Sequence, residues 1–178
     1  TTMWVGGGRR LLLASFSGDS IIHTVELTGL RAGATELLIQ KQDTEEVLVV
    51  LGRCGAFYVF AGHPARLSGE REEASPLFVC QAHNGGVTAG VTLENNLLTV
   101  GEDRRLKCWR LQVANSGVSL EQQELETSLF ASKPIGVVLL KSREKIWLWL
   151  GMEDGTLVRH EVLGTDPLTL GPRLEVAT

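Results

Sequence analysis

Four stretches of the chain repeat one pattern, and this repetition restricts the possible folds more than any other feature. They are MWVGGGRRLLLASF (Met3–Phe16), LVVLGRCGAFYVF (Leu48–Phe60), LLTVGEDRRLKCW (Leu97–Trp109) and LWLGMEDGTLVRH (Leu148–His160). In each, a short apolar run enters a polar turn and leaves it as a second apolar run. Gly6, Gly52, Gly101 and Met152 occupy equivalent turn positions, at separations of 46, 49 and 51 residues. A near-constant period of this size marks an architecture in which each unit buries its faces against the next. The first and third copies share more than shape, since GGGRRL lies over GEDRRL.

The segments between the hairpins repeat as well. ATELLIQKQ precedes the second hairpin, GVTAGVTL the third and PIGVVLL the fourth, and each reads as an inner strand. SIIHTVEL, PLFVCQA, GVSLEQQEL and, less distinctly, RLEVAT follow the hairpins as outer strands. Apolar runs of about five or six residues, bounded by Gly, Asp and Asn, predict an all-β chain. LEQQELETSL has helical propensity, but it falls in an outer-strand slot. Four strands per unit of about 50 residues describe a propeller blade.

The third copy carries the family features. Ala82-His83 stands where a Gly-His pair is usual, Asp103 lies in the hairpin turn, and Trp109 on the following strand. In these features the chain resembles the WD40-repeat β-propellers. The resemblance implies a hydrogen-bonded structural tetrad of His83, Thr99, Asp103 and Trp109. The other copies match more weakly. The fourth keeps Asp154 but has His160 at the Trp position, the second has Cys54 and Phe60, and the first Gly8 and Ala14.

The expected fold is therefore an all-β propeller of WD40 type with about four blades, the first lacking its inner strand. The blades fall at approximately 1–30, 31–83, 84–128 and 129–178, so that 1–178 is a partial propeller, with missing chain completing the ring. A compact four-bladed ring of the hemopexin-like kind is the alternative. Such rings are disulfide-closed, and three widely spaced cysteines, Cys54, Cys80 and Cys108, do not fit one.

The same cysteines lack any CxxC spacing, which argues against a zinc site and for a reducing compartment, cytoplasmic or nuclear. TTMWVGGGRR lacks signal-peptide form and no apolar run approaches a membrane span, so no membrane association is expected. The formal charge of −4 lacks the basic surplus usual for nonspecific nucleic-acid binding. The histidines His23, His63, His83 and His160 lie in no catalytic motif. GGGRR is followed by a strand and reads as a hairpin turn, not a phosphate cradle. GEREEAS reads as a solvated loop. No cofactor, metal or catalytic site is expected.

Trp147 and Trp149 alternate on one strand face and, with Trp4 and Trp109, are assigned to the core. The turns between second and third strands face one side of a propeller, the side that in this family is often the partner-binding face. Arg9, Arg10, Arg53, Arg104 and Arg105 would form a basic arc there, suited to an acidic or phosphorylated peptide. The expected function is a noncatalytic protein-interaction scaffold within a multiprotein complex. The alternative is an RNA-recognising propeller that uses the same arginines.

Overall fold

The computed structural model describes residues 2–7, 10–17, 20–42, 45–61, 73–114, 117–125 and 129–176. Among them are seventeen β-strands and no helix. The first sheet holds β1 (Thr2–Gly7), β2 (Arg10–Ser17), β3 (Ser20–Leu27) and β7 (Glu73–Ala74). The second holds β4 (Ala34–Gln42), β5 (Glu45–Gly52), β6 (Ala56–Ala61) and β8 (Phe78–Gln81). In the third, β9 (Val87–Leu93), β10 (Asn96–Gly101), β11 (Leu106–Ala114) and β12 (Gly117–Gln123) run in sequence order. The fourth contains β13 (Pro134–Ser142), β14 (Lys145–Met152), β15 (Leu157–Thr165), β16 (Leu168–Leu170) and β17 (Leu174–Val176).

The centres of the middle strands of the second and third sheets are largely apolar, and both of their faces are covered. Leu48 and Val50 of β5, with Tyr58 and Phe60 of β6, pack toward Leu11, Leu27 and Ala74 of the first sheet. The alternate residues Val47, Val49, Leu51, Phe57 and Val59 pack toward Leu97, Trp109 and Leu111 of the third sheet. The third sheet then turns Leu98, Val100, Leu106 and Cys108 toward Leu148, Leu150 and Val158 of the fourth. A strand's period of two is thus used twice, once for each neighbour.

Hydroxyls join the inner strands. Thr35 Oγ1 lies 3.1 Å from the Leu51 carbonyl of its own sheet and 3.0 Å from the Val87 carbonyl of the next. Thr88 Oγ1 repeats this, 3.1 Å from the Val100 carbonyl and 2.7 Å from that of Pro134. Both threonines sit where the inner strand shifts register against its partner. Glu36 adds a third tie, its carboxylate accepting the Gly90 N–H at 2.8 Å.

Several expectations need correction. Within GEREEAS, Glu73–Ala74 forms a strand parallel to β3, and Ala74 is buried. The outer position of the fourth sheet is split between β16 and β17, which pair with opposite ends of β15. Trp109 is buried, whereas Trp147 and Trp149 are only half-buried, because among the described residues no sheet covers their face. The side chain of Trp4 lies outside the described residues. In the first sheet, β1, β2 and β3 occupy the second to fourth strand positions, and among the described residues no strand takes the inner one.

Leu98 is fully buried between the third and fourth sheets. Leu98→Ala is expected to lower unfolding free energy by about 2–5 kcal/mol in denaturant titration. Leu140→Ala, on an inner strand but 52% exposed, is expected to cost the 178-residue chain less than about 1 kcal/mol.

Candidate functional site

The best-defined polar constellation lies in the third sheet. Gly101 ends β10, and a Cβ there would stand 2.4 Å from His83 Cγ, so only glycine admits the ring beneath the strand end. His83 Nδ1 lies 2.7 Å from Asp103 Oδ1, and its Nε2 lies 2.9 Å from Thr99 Oγ1. Trp109 Nε1 donates to that same Thr99 oxygen at 2.9 Å. The structure therefore brings His83, Thr99, Asp103 and Trp109 into one continuous chain of hydrogen bonds.

The donors fix its direction. The indole N–H can only donate, so Thr99 accepts from Trp109 and directs its own proton to His83 Nε2. His83 then carries its proton on Nδ1 and donates it to Asp103. A protonated ring would point a second N–H at Thr99 and leave the threonine proton without its acceptor. Burial acts in the same sense. It is the largest influence on His83 and lowers its pKa from the ordinary 6.5, outweighing the nearby Asp103 carboxylate.

Asp103 gathers further donors. The Arg105 N–H reaches Oδ1 and the Asn84 N–H reaches Oδ2, each at 3.2 Å. Burial would raise its pKa, but the hydrogen bonds from His83, Asn84 and Arg105 outweigh it and hold the carboxyl below its ordinary value. The hairpin turn, the incoming loop and the middle strands are thereby tied to one side chain.

The three described hairpin turns share one backbone shape. Gly55, Arg104 and Gly155 have φ of 82°, 61° and 87° at equivalent positions. Their N–H groups donate to the carbonyls of Gly52, Gly101 and Met152 at 3.1, 3.0 and 3.0 Å. Arg104 thus takes a left-handed conformation that two other turns give to glycine. Its guanidinium does not point freely to solvent, since Nη1 donates to the Ala131 carbonyl at 3.1 Å. Its own carbonyl accepts the Phe130 N–H at 2.9 Å.

The five arginines therefore do not form one described arc. Arg9 lies outside the described residues, as does the side chain of Arg10. Arg104 is committed to the loop entering the fourth sheet. Arg53 and Arg105 are exposed but line separate concavities. Arg105 lies with Lys107 and Glu124 in a cavity of about 280 Å³ beside the third sheet. Arg53 faces a groove of about 430 Å³ where the second, third and fourth sheets meet, with Thr35, Thr88, Glu102, Lys133 and Ile135. Sequence reasoning missed Lys133 and Ile135, although their place just before and within the fourth inner strand was available as a signal.

The other sheets pin their turns differently. In the second, Tyr58 Oη accepts the Arg31 N–H at 3.0 Å and lies 3.3 Å from Cys54 Sγ. In the fourth, Asp154 Oδ1 accepts the Thr156 N–H at 3.0 Å within the turn, while buried His160 donates from Nδ1 to the Gly171 carbonyl at 3.0 Å, between the two outer strands. Burial also lowers the His160 pKa. All three cysteines are free, and burial pushes the Cys108 thiol up to about 12. No cluster of three or more metal-ligating side chains occurs among the described residues. No helix among them is long and apolar enough to cross a membrane.

The radial stacking of four-stranded sheets around adjacent inner strands is a β-propeller architecture. Among solved structures the chain is similar to BBS1N, a β-propeller, in the crystal structure of BBS1N in complex with ARL6DN, soaked with mercury. The TM-score is 0.55 at 13% sequence identity, over 85% of this chain and 43% of that one. The chain thus spans less than half of that propeller's length. No protein-family model and no curated protein matches the sequence.

Two measurements probe this network. Thr99→Val keeps the volume but strands the Trp109 N–H and His83 Nε2, and is expected to cost about 1–3 kcal/mol in denaturant titration, with Thr99→Ser restoring most of it. Because folding lowers the pKa of His83 and His160, the unfolded chain binds protons first as pH falls below 6.5. Stability should be level between about pH 7 and 8 and decline below 6.5, by up to about 1.4 kcal/mol per pH unit for each histidine, and decline again above about pH 8.5, where the unfolded chain releases the Cys108 proton that the fold retains. In His83→Gln the acid-side decline should be shallower.

Proposed function

We propose that this propeller is of the WD40 type and serves as a noncatalytic scaffold that binds protein partners in an intracellular complex. The His83–Thr99–Asp103–Trp109 network supports the type, because it ties turn, incoming loop and strands as the resemblance implies. On this reading the four are structural residues, and the blades follow the approximate divisions 1–30, 31–83, 84–128 and 129–178.

The groove at the junction of three sheets carries the functional reading. Its walls are strand ends and tight turns held by cross-sheet hydrogen bonds, so it is preformed. Arg53 offers positive charge, as does Lys133, whose ammonium is shared with Glu153 at 2.7 Å; Glu102 offers negative charge, and Ile135, 54% exposed, an apolar contact. This mixture suits a peptide segment with an acidic or phosphorylated side chain beside an apolar one. A run of nucleic-acid phosphates would meet Glu102 as well as the cations, so the observations favour protein over RNA. Protein partnership has a parallel in the BBS1N–ARL6DN complex.

The test is affinity for a partner whose cross-links map to the groove. Arg53→Glu combined with Lys133→Glu should weaken calorimetric binding at least about tenfold while the thermal midpoint holds, since exposed charge pairs contribute little to stability. Arg105→Glu, in the separate cavity, should leave binding unchanged. Undiminished binding by the double variant overturns the groove as the site.

A further inference from the structure

The second, third and fourth sheets each carry matching rows of three residues on the face directed to the next sheet. In the second sheet, Leu38–Val49–Val59 form one row, and Glu36–Leu51–Phe57 the row beside it. The third sheet repeats them as Val91–Leu98–Cys108 and Ala89–Val100–Leu106. In the fourth they become Val138–Trp149–Arg159 and Gly136–Gly151–Leu157. A further row, Leu140–Trp147–Glu161, stands on the same face.

The first two sets are covered. Val49, Val59, Leu51 and Phe57 are fully buried against the third sheet, and Leu98, Cys108, Val100 and Leu106 against the fourth. In the fourth sheet the equivalent face is open. Val138 is 51% and Leu140 52% exposed, and a Cβ on Gly136 or Gly151 would meet no atom within 4 Å. An exposed valine and leucine beside two half-buried tryptophans, in adjacent rows on an inner pair of strands, form an interface without its counterpart.

We infer that this face packs against a further antiparallel sheet of the same ring, and that the facing sheet supplies an acidic side chain to Arg159. Continuity with two formed interfaces identifies the kind of occupant, because the rows repeat in register and the same face is covered twice by a sheet. The charge identifies its chemistry. Arg159 replaces Val59 and Cys108, and its guanidinium lies 4.9 Å from the Trp147 ring and 5.5 Å from the Trp149 ring. Its Nε is buried and makes no hydrogen bond. Among the described residues no carboxylate pairs with it, whereas Lys145 on the same sheet is paired with Glu161 at 2.8 Å. Covering this face with purely apolar side chains would desolvate an unpaired cation, so the cover must bring a carboxylate. The Gly136–Gly151 pair, flanked by Trp149, leaves a depression that a large apolar side chain of the same sheet would fill.

This inference does not depend on the groove. It is tested by hydroxyl-radical footprinting with residue-level mass spectrometry on the 178-residue chain and on the longest natural chain that contains it. Trp147, Trp149, Val138 and Leu140 should oxidise readily in the shorter chain. They should be protected at least about tenfold in the longer one, independently of protein concentration. Arg159→Glu should restore their oxidation in the longer chain while leaving the circular dichroism of the 178-residue chain unchanged. Reversing the charge of the facing acidic residue, located by cross-linking, should restore protection. Equal oxidation in both chains overturns the inference, whatever the length of the longer one. Protection that grows with concentration assigns the face to a second copy and overturns it too, and protection needing a separate protein does the same. If Arg159→Glu leaves protection intact, the carboxylate is wrong.

Discussion

Both faces of β5, β6, β10 and β11 are buried, and the rest of the structure depends on that requirement. A strand apolar on all sides cannot belong to a sheet that stands alone in water. It needs a sheet above and another below, and each of those inherits the same need. Val49 and Val50 differ only in the neighbour they face, the third sheet or the first. Each fully buried aliphatic contributes about 1.5–3 kcal/mol, so a stack of such strands outweighs any single polar contact. The threonines at the register shifts make the stacking specific. Thr35 and Thr88 satisfy carbonyls of two sheets at once, which sets how closely the inner strands approach.

Given that stack, the polar network of the third sheet has a narrower task. It does not create the fold, because the second sheet does without it and is buried as thoroughly. What it does is hold one turn and one incoming loop in a single arrangement. The chain from Trp109 through Thr99 and His83 to Asp103 has one consistent donor order. Elsewhere the task falls to other atoms, Tyr58 Oη in the second sheet and, in the fourth, the Asp154 carboxylate that accepts the Thr156 N–H. Degeneracy of the repeat at these positions is therefore a change of fastening, not a loss of it.

The hairpins were legible because their information is local. LVVLGRCGAFYVF carries its two strands and its turn within thirteen residues, and the period supplies the other copies. The residues of the third-sheet network were legible by resemblance for the same reason, since their spacing is repeated. Features that depend on distant chain were not. Glu73–Ala74 is too short to carry a pattern, and its pairing is fixed by β3, far away in sequence. The break between β16 and β17 follows from His160 and Glu161 holding Gly171, which composition does not reveal. Trp147 and Trp149 announced their common face, but whether that face is covered depends on what lies opposite.

The arginines show a further limit of reading position as function. A turn position locates a backbone, and a guanidinium reaches several ångströms from it. Arg104 turns Nη1 to the Ala131 carbonyl, Arg105 turns to the outer cavity, and of the three described arginine side chains Arg53 reaches the three-sheet groove. That dispersal follows from the fold itself. An extended side chain at a left-handed turn residue, beside the loop entering the next sheet, meets unpaired carbonyls before it meets a ligand. The cation that joins Arg53 comes instead from Lys133, at the start of an inner strand. Chemistry in this groove is set by which sheets converge, and only secondarily by which turns are basic.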